Sequence, residues 1–171
     1  MRHIIVDGYN VIRADPRLQG FERQSLEHAR DVLARTLASS PRLANDRIVI
    51  VWDGTFGTRT HVHNHRIGRV EMLYSARGQQ ADDVIVAEAE ELGHVAAVVV
   101  VTNDVAVRER CRAAGCTVSG VDNLLDQMPG RAPTTHVAPE ADDRPSSLST
   151  VKRGNPRRSG KKNRQQREIR F

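Results

Sequence analysis

The sequence predicts an α/β fold: a three-layer α/β/α sandwich whose mainly parallel, doubly wound sheet is followed by a disordered basic tail. Three observations predict it. Short β-branched runs (IIV near the start, then IVIV and VVVV) read as strands covered on both faces, the usual state of a parallel sheet. The segments after those runs carry apolar residues at helical spacing, and strand-helix alternation favours parallel strands joined by crossovers. After Met128 the chain turns to Pro, Ser, Thr, Asn and Gln with few large apolar side chains, too little apolar surface to offset ordering entropy.

The elements follow in order. A strand is expected over residues 3–6, ending on the loop Asp7-Gly8-Tyr9-Asn10. A helix over 25–38 places Leu26, Ala29, Leu33 and Leu37 on one stripe, with Ser25 as its N-cap. Residues 48–52 form the next strand, whose end meets Asp53-Gly54. Residues 55–80 contain few long apolar runs and many Arg, His and Gly, and read as a long functional loop with one short strand over 70–74. From Ala81 the pattern is helical, with Val84, Ile85, Ala87, Ala89 and Leu92 on one face and Gly93 as the stop. The run 98–101 is the most apolar strand and is expected at the sheet centre. Thr102-Asn103-Asp104 then opens a helix to Ala114, Gly115 ends it, and a strand over 116–119 and a helix over 122–127 complete a domain of residues 1–128.

At 171 residues and 39% hydrophobic content the chain can bury one core. Its net charge of +5 is unevenly spread: residues 129–171 hold eleven Lys or Arg against four acids. All three lysines, Lys152, Lys161 and Lys162, lie there, so the front part is slightly acidic and uses arginine alone as a strong cation. Cys111 and Cys116 are expected to be reduced and unpaired. The chain opens directly into a strand without a basic, apolar leader, and no apolar run approaches the ~20 residues of a membrane helix. These features predict a cytoplasmic protein without membrane association.

Four acidic stations carry the chemistry: Asp7 with Asn10, Asp53, the pair Asp82 and Asp83, and Asp104. Three directly follow apolar strands, and loops at the carboxyl ends of parallel strands meet in one crevice. Taken singly, an Asp at such a position caps a helix by accepting backbone N–H groups. Caps have no reason to converge, whereas several carboxylates in one crevice form a cage of hard oxygens for Mg2+ or Mn2+. Such an ion can ionise a water and neutralise charge on a phosphodiester. Asn10 can hold a carboxylate, a water or a phosphate without adding negative charge.

The opening IIVDGYNVI, then VWDG, ADD before a helix and TND after an apolar strand resembles the NYN branch of the PIN-like nucleases, and within it the bacterial YacP-like subgroup. The resemblance covers residues 1–128. It implies a PIN-like, Rossmann-like α/β/α fold, a divalent metal and endonucleolytic cleavage of RNA, with members acting on mRNA at the ribosome. By that resemblance Asp7, Asn10, Asp82, Asp83 and Asp104 match the catalytic and metal-binding positions, and Asp53 is a further site residue.

Around this centre, Arg77 upstream of the Asp pair and Arg108 one turn beyond Asp104 are candidates for substrate phosphate, with an Asp104–Arg108 helical pair as the alternative. Arg13, Arg59, Arg66 and Arg69 would extend a basic rim, Asn103 stands beside Asp104, and Tyr9 and Tyr74 are candidates to stack a base or to join the core. Trp52 reads as core. The alternating His61, His63 and His65 favour an exposed RNA-touching loop over a zinc site, because no cysteine or carboxylate stands beside them. In the tail, Lys152, Arg153, Arg157, Arg158, Lys161, Lys162 and Arg164 are expected to contact RNA or the ribosome through charge. A non-catalytic RNA- or ribosome-binding adaptor is the alternative function. An aspartyl phosphatase is disfavoured by Tyr9 where a second Asp would stand and by the absence of Lys before Lys152. A dinucleotide or P-loop protein is disfavoured because no glycine fingerprint follows the first strand.

Overall fold

All five residues of the first strand, β1 (His3–Asp7), are buried, as a strand covered on both faces requires. With β2 (Arg47–Trp52), β3 (His63–Ile67), β4 (Val70–Tyr74), β5 (Val98–Val101) and β6 (Thr117–Ser119) it forms a six-stranded sheet in the order β3-β4-β2-β1-β5-β6. The computed structural model describes residues 1–54, 63–94 and 96–130, all within the unit Met1–His136. Strand β1 pairs in parallel with β2 and β5, β2 with β4, and β5 with β6; β3 alone is antiparallel, against β4.

Alternation along the strands divides the apolar side chains between two cores. Ile4, Val6, Ile48, Ile50, Trp52 and Met72 face the layer built by α1 (Gly8–Ala14), α2 (Pro16–Glu22), α3 (Leu26–Ser39) and α6 (Val121–Leu125). Ile5, Val49, Val51 and Val100 face α4 (Ala81–Gly93) and α5 (Val105–Ala113), where Val84, Ile85, Ala89, Val107 and Cys111 meet them. Asp7 shares the parity of Ile5 and Asp53 that of Val51, whereas Trp52 shares that of Ile50. Consecutive residues at one strand end therefore belong to different layers.

Three expectations need correction. Residues 63–67, read as loop, form β3, the edge strand of a hairpin with β4 that turns through Gly68 at φ 60°. The most apolar strand, β5, is not central; β2 and β1 are, because the chain fills one side of β1 first and returns to the other through α4. Helices α1 and α2 were not read from the sequence. Asp7 caps α1, and Asp15 caps α2 by accepting from Arg17 N at 2.8 Å with Pro16 in the first turn. Burial would push the Asp15 carboxyl up, but hydrogen bonds and charge from Arg17 outweigh it and hold it below its usual value. Cys111 and Cys116 are both free, as expected.

Candidate active site

The connections from β1 run to β2 on one side, and α4 carries the chain from β4 to β5 on the other. The carboxyl ends of β1 and β5 therefore flank a topological switch point. Asp7 ends β1 there and is buried. Its Oδ1 accepts from Asn10 N at 3.2 Å, while Oδ2 accepts from the Asn10 side-chain amide and from Thr102 Oγ1 at 2.9 Å. Thr102 is fully buried just beyond β5, and its hydroxyl oxygen also accepts from Asp104 N at 3.1 Å. This one hydroxyl locks the Asp7 loop to the Asp104 loop.

Asp82 enters the same crevice from the first turn of α4. Burial pushes its carboxyl up, and the negative charges of Asp7, Asp104 and Asp83 push in the same direction against the opposing pull of Arg110. Asp104 caps α5 through Oδ1, which accepts from Val107 N at 3.1 Å. Asp83 turns outward and pairs with Arg110 at 2.8 Å, both side chains about half exposed. Asp53 follows β2 at the same sheet end. The structure thus brings Asp7, Asn10, Asp82 and Asp104 together, with Asp83 at the rim and Asp53 beside them. Among the described residues no three His, Cys, Asp or Glu side chains stand close enough to hold a metal ion. The donors fit Mg2+ or Mn2+ in kind, as hard and mutually repelling oxygens, but they do not form a closed cage in this arrangement.

Two glycines shape the floor. A Cβ on Gly8 would lie 2.3 Å from the Trp52 ring, and one on Gly54 would lie 1.9 Å from the Ser75 carbonyl oxygen. Asp-Gly therefore recurs after β1 and β2 because backbone or a buried indole passes directly over the position after each Asp.

The residues expected to bind substrate divide. Tyr9 packs edge-on against Trp52, ring centroids 5.3 Å apart, with the Arg13 guanidinium 5.8 Å from its centroid. Asn103 Oδ1 accepts from Val121 N at 3.1 Å, so it secures the start of α6. Arg77 is exposed. Arg108 makes no ion pair with Asp104 among the described residues; its Nε is buried without a hydrogen-bond partner. Arg69 donates to Leu37 O and Ser40 O at the opposite end of the sheet, and Arg66 donates to Gly68 O there, so neither belongs to the expected rim. Arg59, His61 and the tail residues Lys152, Arg153, Arg157, Arg158, Lys161, Lys162 and Arg164 lie outside the described residues. His63 and His65 fall on β3.

Three participants were missed. Thr102 stood in the TND motif, but only its fold contact with Asp7 reveals its hydroxyl. Arg110, two residues beyond Arg108, is the cation that meets Asp83. Arg30 of α3 lies 5.4 Å from the Tyr9 ring centroid, 5.3 Å from that of Trp52 and 5.4 Å from that of Tyr74, and donates to the Tyr9 hydroxyl.

Comparison with known proteins agrees with this architecture. A family model described as the YacP-like NYN domain matches residues 4–154, and so runs past Met128 into the expected tail. The chain is similar to the "Uncharacterized protein YacP" of Bacillus subtilis strain 168, with 34% identity over 95 residues covering 54% of each chain. It thus spans about half the length of that curated relative. It is also similar to the crystal structure of Rae1 (YacP) from Bacillus subtilis, at TM-score 0.62 and 28% identity over 73% of this chain and 72% of that one. A crystal structure of a tryptophan-to-leucine mutant of the same protein gives TM-score 0.60 and 27% identity over 72% and 71%.

Proposed function

The chain belongs to the YacP-like NYN domain family, within the PIN-like nucleases, and from that membership we propose that it is an endoribonuclease hydrolysing phosphodiester bonds of single-stranded RNA at Asp7, Asp82 and Asp104 with Mg2+ or Mn2+. The observation that carries this reading is the convergence of Asp7 and Asp104 on Asp82, whose charge they repel, at the switch point, none of the three having an ion-pair partner among the described residues. A divalent ion with a preference for oxygen ligands would relieve that repulsion; Asp7, Asp82 and Asp104 are the residues that would hold it, once drawn closer than they stand in this arrangement. When bound, such an ion neutralises charge on phosphodiester oxygens and makes a water ionisable near neutral pH.

The chain's own residues do the rest. Asn10 and Thr102 fix the Asp7 carboxylate in one orientation without adding charge to a site that admits an anion. Asp82, which burial and its acidic neighbours disfavour as a carboxylate, is the side chain that gains most from a neutralising cation beside it. The seven tail cations tether RNA or the ribosome through counterion release, giving affinity that falls with salt and carries little sequence information.

One observation favours a second reading, a non-catalytic RNA- or ribosome-binding adaptor: no ready-made group of metal ligands is present among the described residues. The test incubates the full chain with labelled single-stranded RNA, matched DNA and translating ribosomes, each with Mg2+, Mn2+ or EDTA. Metal-dependent RNA cleavage supports the nuclease, and its substrate pattern identifies any need for the ribosome. Binding without cleavage in every condition favours the adaptor.

A further inference from the structure

The carboxylate cluster lies on the α4 and α5 side of the sheet end, but the same end carries a second cluster of opposite character on the α3 side. Tyr9 follows β1, Trp52 ends β2 and Tyr74 ends β4, and the Arg30 guanidinium lies over all three rings. Arg30 is half-buried, and among the described residues it forms no ion pair with a carboxylate, although the charges of Asp31 and Glu27 reach Tyr74 along with its own. Among the described residues its hydrogen bond goes to the Tyr9 hydroxyl, and its Nε is buried with no partner. The Trp52 indole N–H at the same place is likewise buried and unpartnered.

A buried donor left without an acceptor is costly, and a partly desolvated charge with no carboxylate in contact more so. Cation–π attraction from three rings offsets part of that cost but leaves the guanidinium able to take an anion. Arginine presents a planar fork matched to phosphate; Tyr9, covered by Arg30 and Arg13, holds that fork in place, and the partly exposed Tyr74 ring is the one to meet a base. Asp7 and Tyr9 are separated by Gly8 alone, so a strand crossing this sheet end at the carboxylates passes next to Arg30.

We propose that Arg30, with Tyr9 and Tyr74, forms a nucleotide subsite that holds the phosphate and base adjoining the bond placed at the carboxylate cluster. Arg30 is a positioning residue that binds the flanking phosphate and takes no part in the chemistry. This subsite rests on the endoribonuclease reading and names how that site grips a single strand.

The test compares full-length wild type with Arg30→Met, which keeps the stem volume, and Arg30→Lys, which keeps the charge but not the fork. Steady-state cleavage of single-stranded RNA with Mn2+ gives KM and kcat separately. Binding of the same RNA in EDTA over a range of salt gives the phosphate contacts, and melting temperatures report folding. Expected are a rise of roughly tenfold in KM for Arg30→Met with kcat little changed, as for loss of one charged hydrogen bond. The slope of log affinity against log salt should shrink by about 0.7, the contribution of one phosphate contact on a single strand. Arg30→Lys should restore the salt slope but not the full affinity. A lowered melting temperature with unchanged KM and salt slope would make Arg30 structural glue and overturn the subsite alone. A wild type that neither binds nor cleaves RNA would overturn the nuclease reading and the subsite with it.

Discussion

Asp82 has clear grounds to lose its charge, because it is partly buried among three other acids. Replacing it by Asn removes repulsion, so Asp82→Asn should melt above wild type in EDTA at neutral pH. Wild type should gain melting temperature on addition of Mn2+, and the variant should gain much less. Equal gains in both proteins would show that Asp82 holds no ion. Cys111 carries a different message. Burial pushes its thiol up to about 11, so it should resist a thiol reagent at pH 8 until the protein is unfolded, as timed labelling would show. At this scale Asp7, Asn10, Asp82 and Asp104 were legible because each sits at a strand end or helix start, a position that pattern alone assigns. Thr102 and Arg110 were not: their partners lie 95 and 27 residues away, and nothing local to either announces the pairing. The link from Asn103 to α6 was hidden for the same reason, since its amide oxygen accepts from a residue 18 positions on.

The element that governs the site is the strand-to-helix turn after β1. Gly8 is caught between the Asp7 carboxylate, bonded to Asn10 and Thr102, and Tyr9, packed against Trp52 and Arg30. Gly8→Ala drives a methyl into the indole and should cost about 1–3 kcal/mol by overpacking. Gly54→Ala meets a backbone oxygen instead of a side chain, cannot be relieved by a rotamer change, and should cost more. Urea unfolding of both variants checks the order; a Gly54→Ala as stable as wild type would mean that the β2 and β4 ends separate without cost. The parallel strands were legible because their apolar runs are long and β-branched. Strand β3 (HNHRI) was not, because an edge strand is held by one neighbour and tolerates polar residues. Helices α1 and α2 are seven residues each, too short for a periodic stripe, and only their Asp caps and Pro16 mark them.

Over the whole molecule, the sheet is fastened far from the active end by Arg2 and Asp46, paired at 2.7 Å. Arg2 holds the Asp46 carboxyl below its usual value, chiefly by hydrogen bonding. A depressed carboxyl stabilises the fold above its unfolded value of about 3.9, and that contribution fades as pH falls through the folded value. Because Arg2 is half exposed, the effect should be no more than about 1 kcal/mol, seen as a shallower acid limb of stability against pH in Asp46→Asn. An unchanged acid limb would assign no role to the pair. Among the described residues no helix is long and apolar enough to cross a membrane. Deleting residues 129–171 should weaken RNA binding and flatten its salt dependence while leaving cleavage of a saturating short RNA intact. Unchanged binding at low and moderate salt would refute the tether. The doubly wound order was legible from strand-helix alternation, but the central place of β1 was not, because strand order depends on which side each crossover takes. The most direct test of the whole account is the single-turnover cleavage rate of single-stranded RNA with saturating Mn2+, wild type beside Asp82→Asn. The account predicts cleavage by wild type, abolished by EDTA, and a loss of at least about 100-fold in the variant. Cleavage at equal rates, or persisting in EDTA, would contradict it.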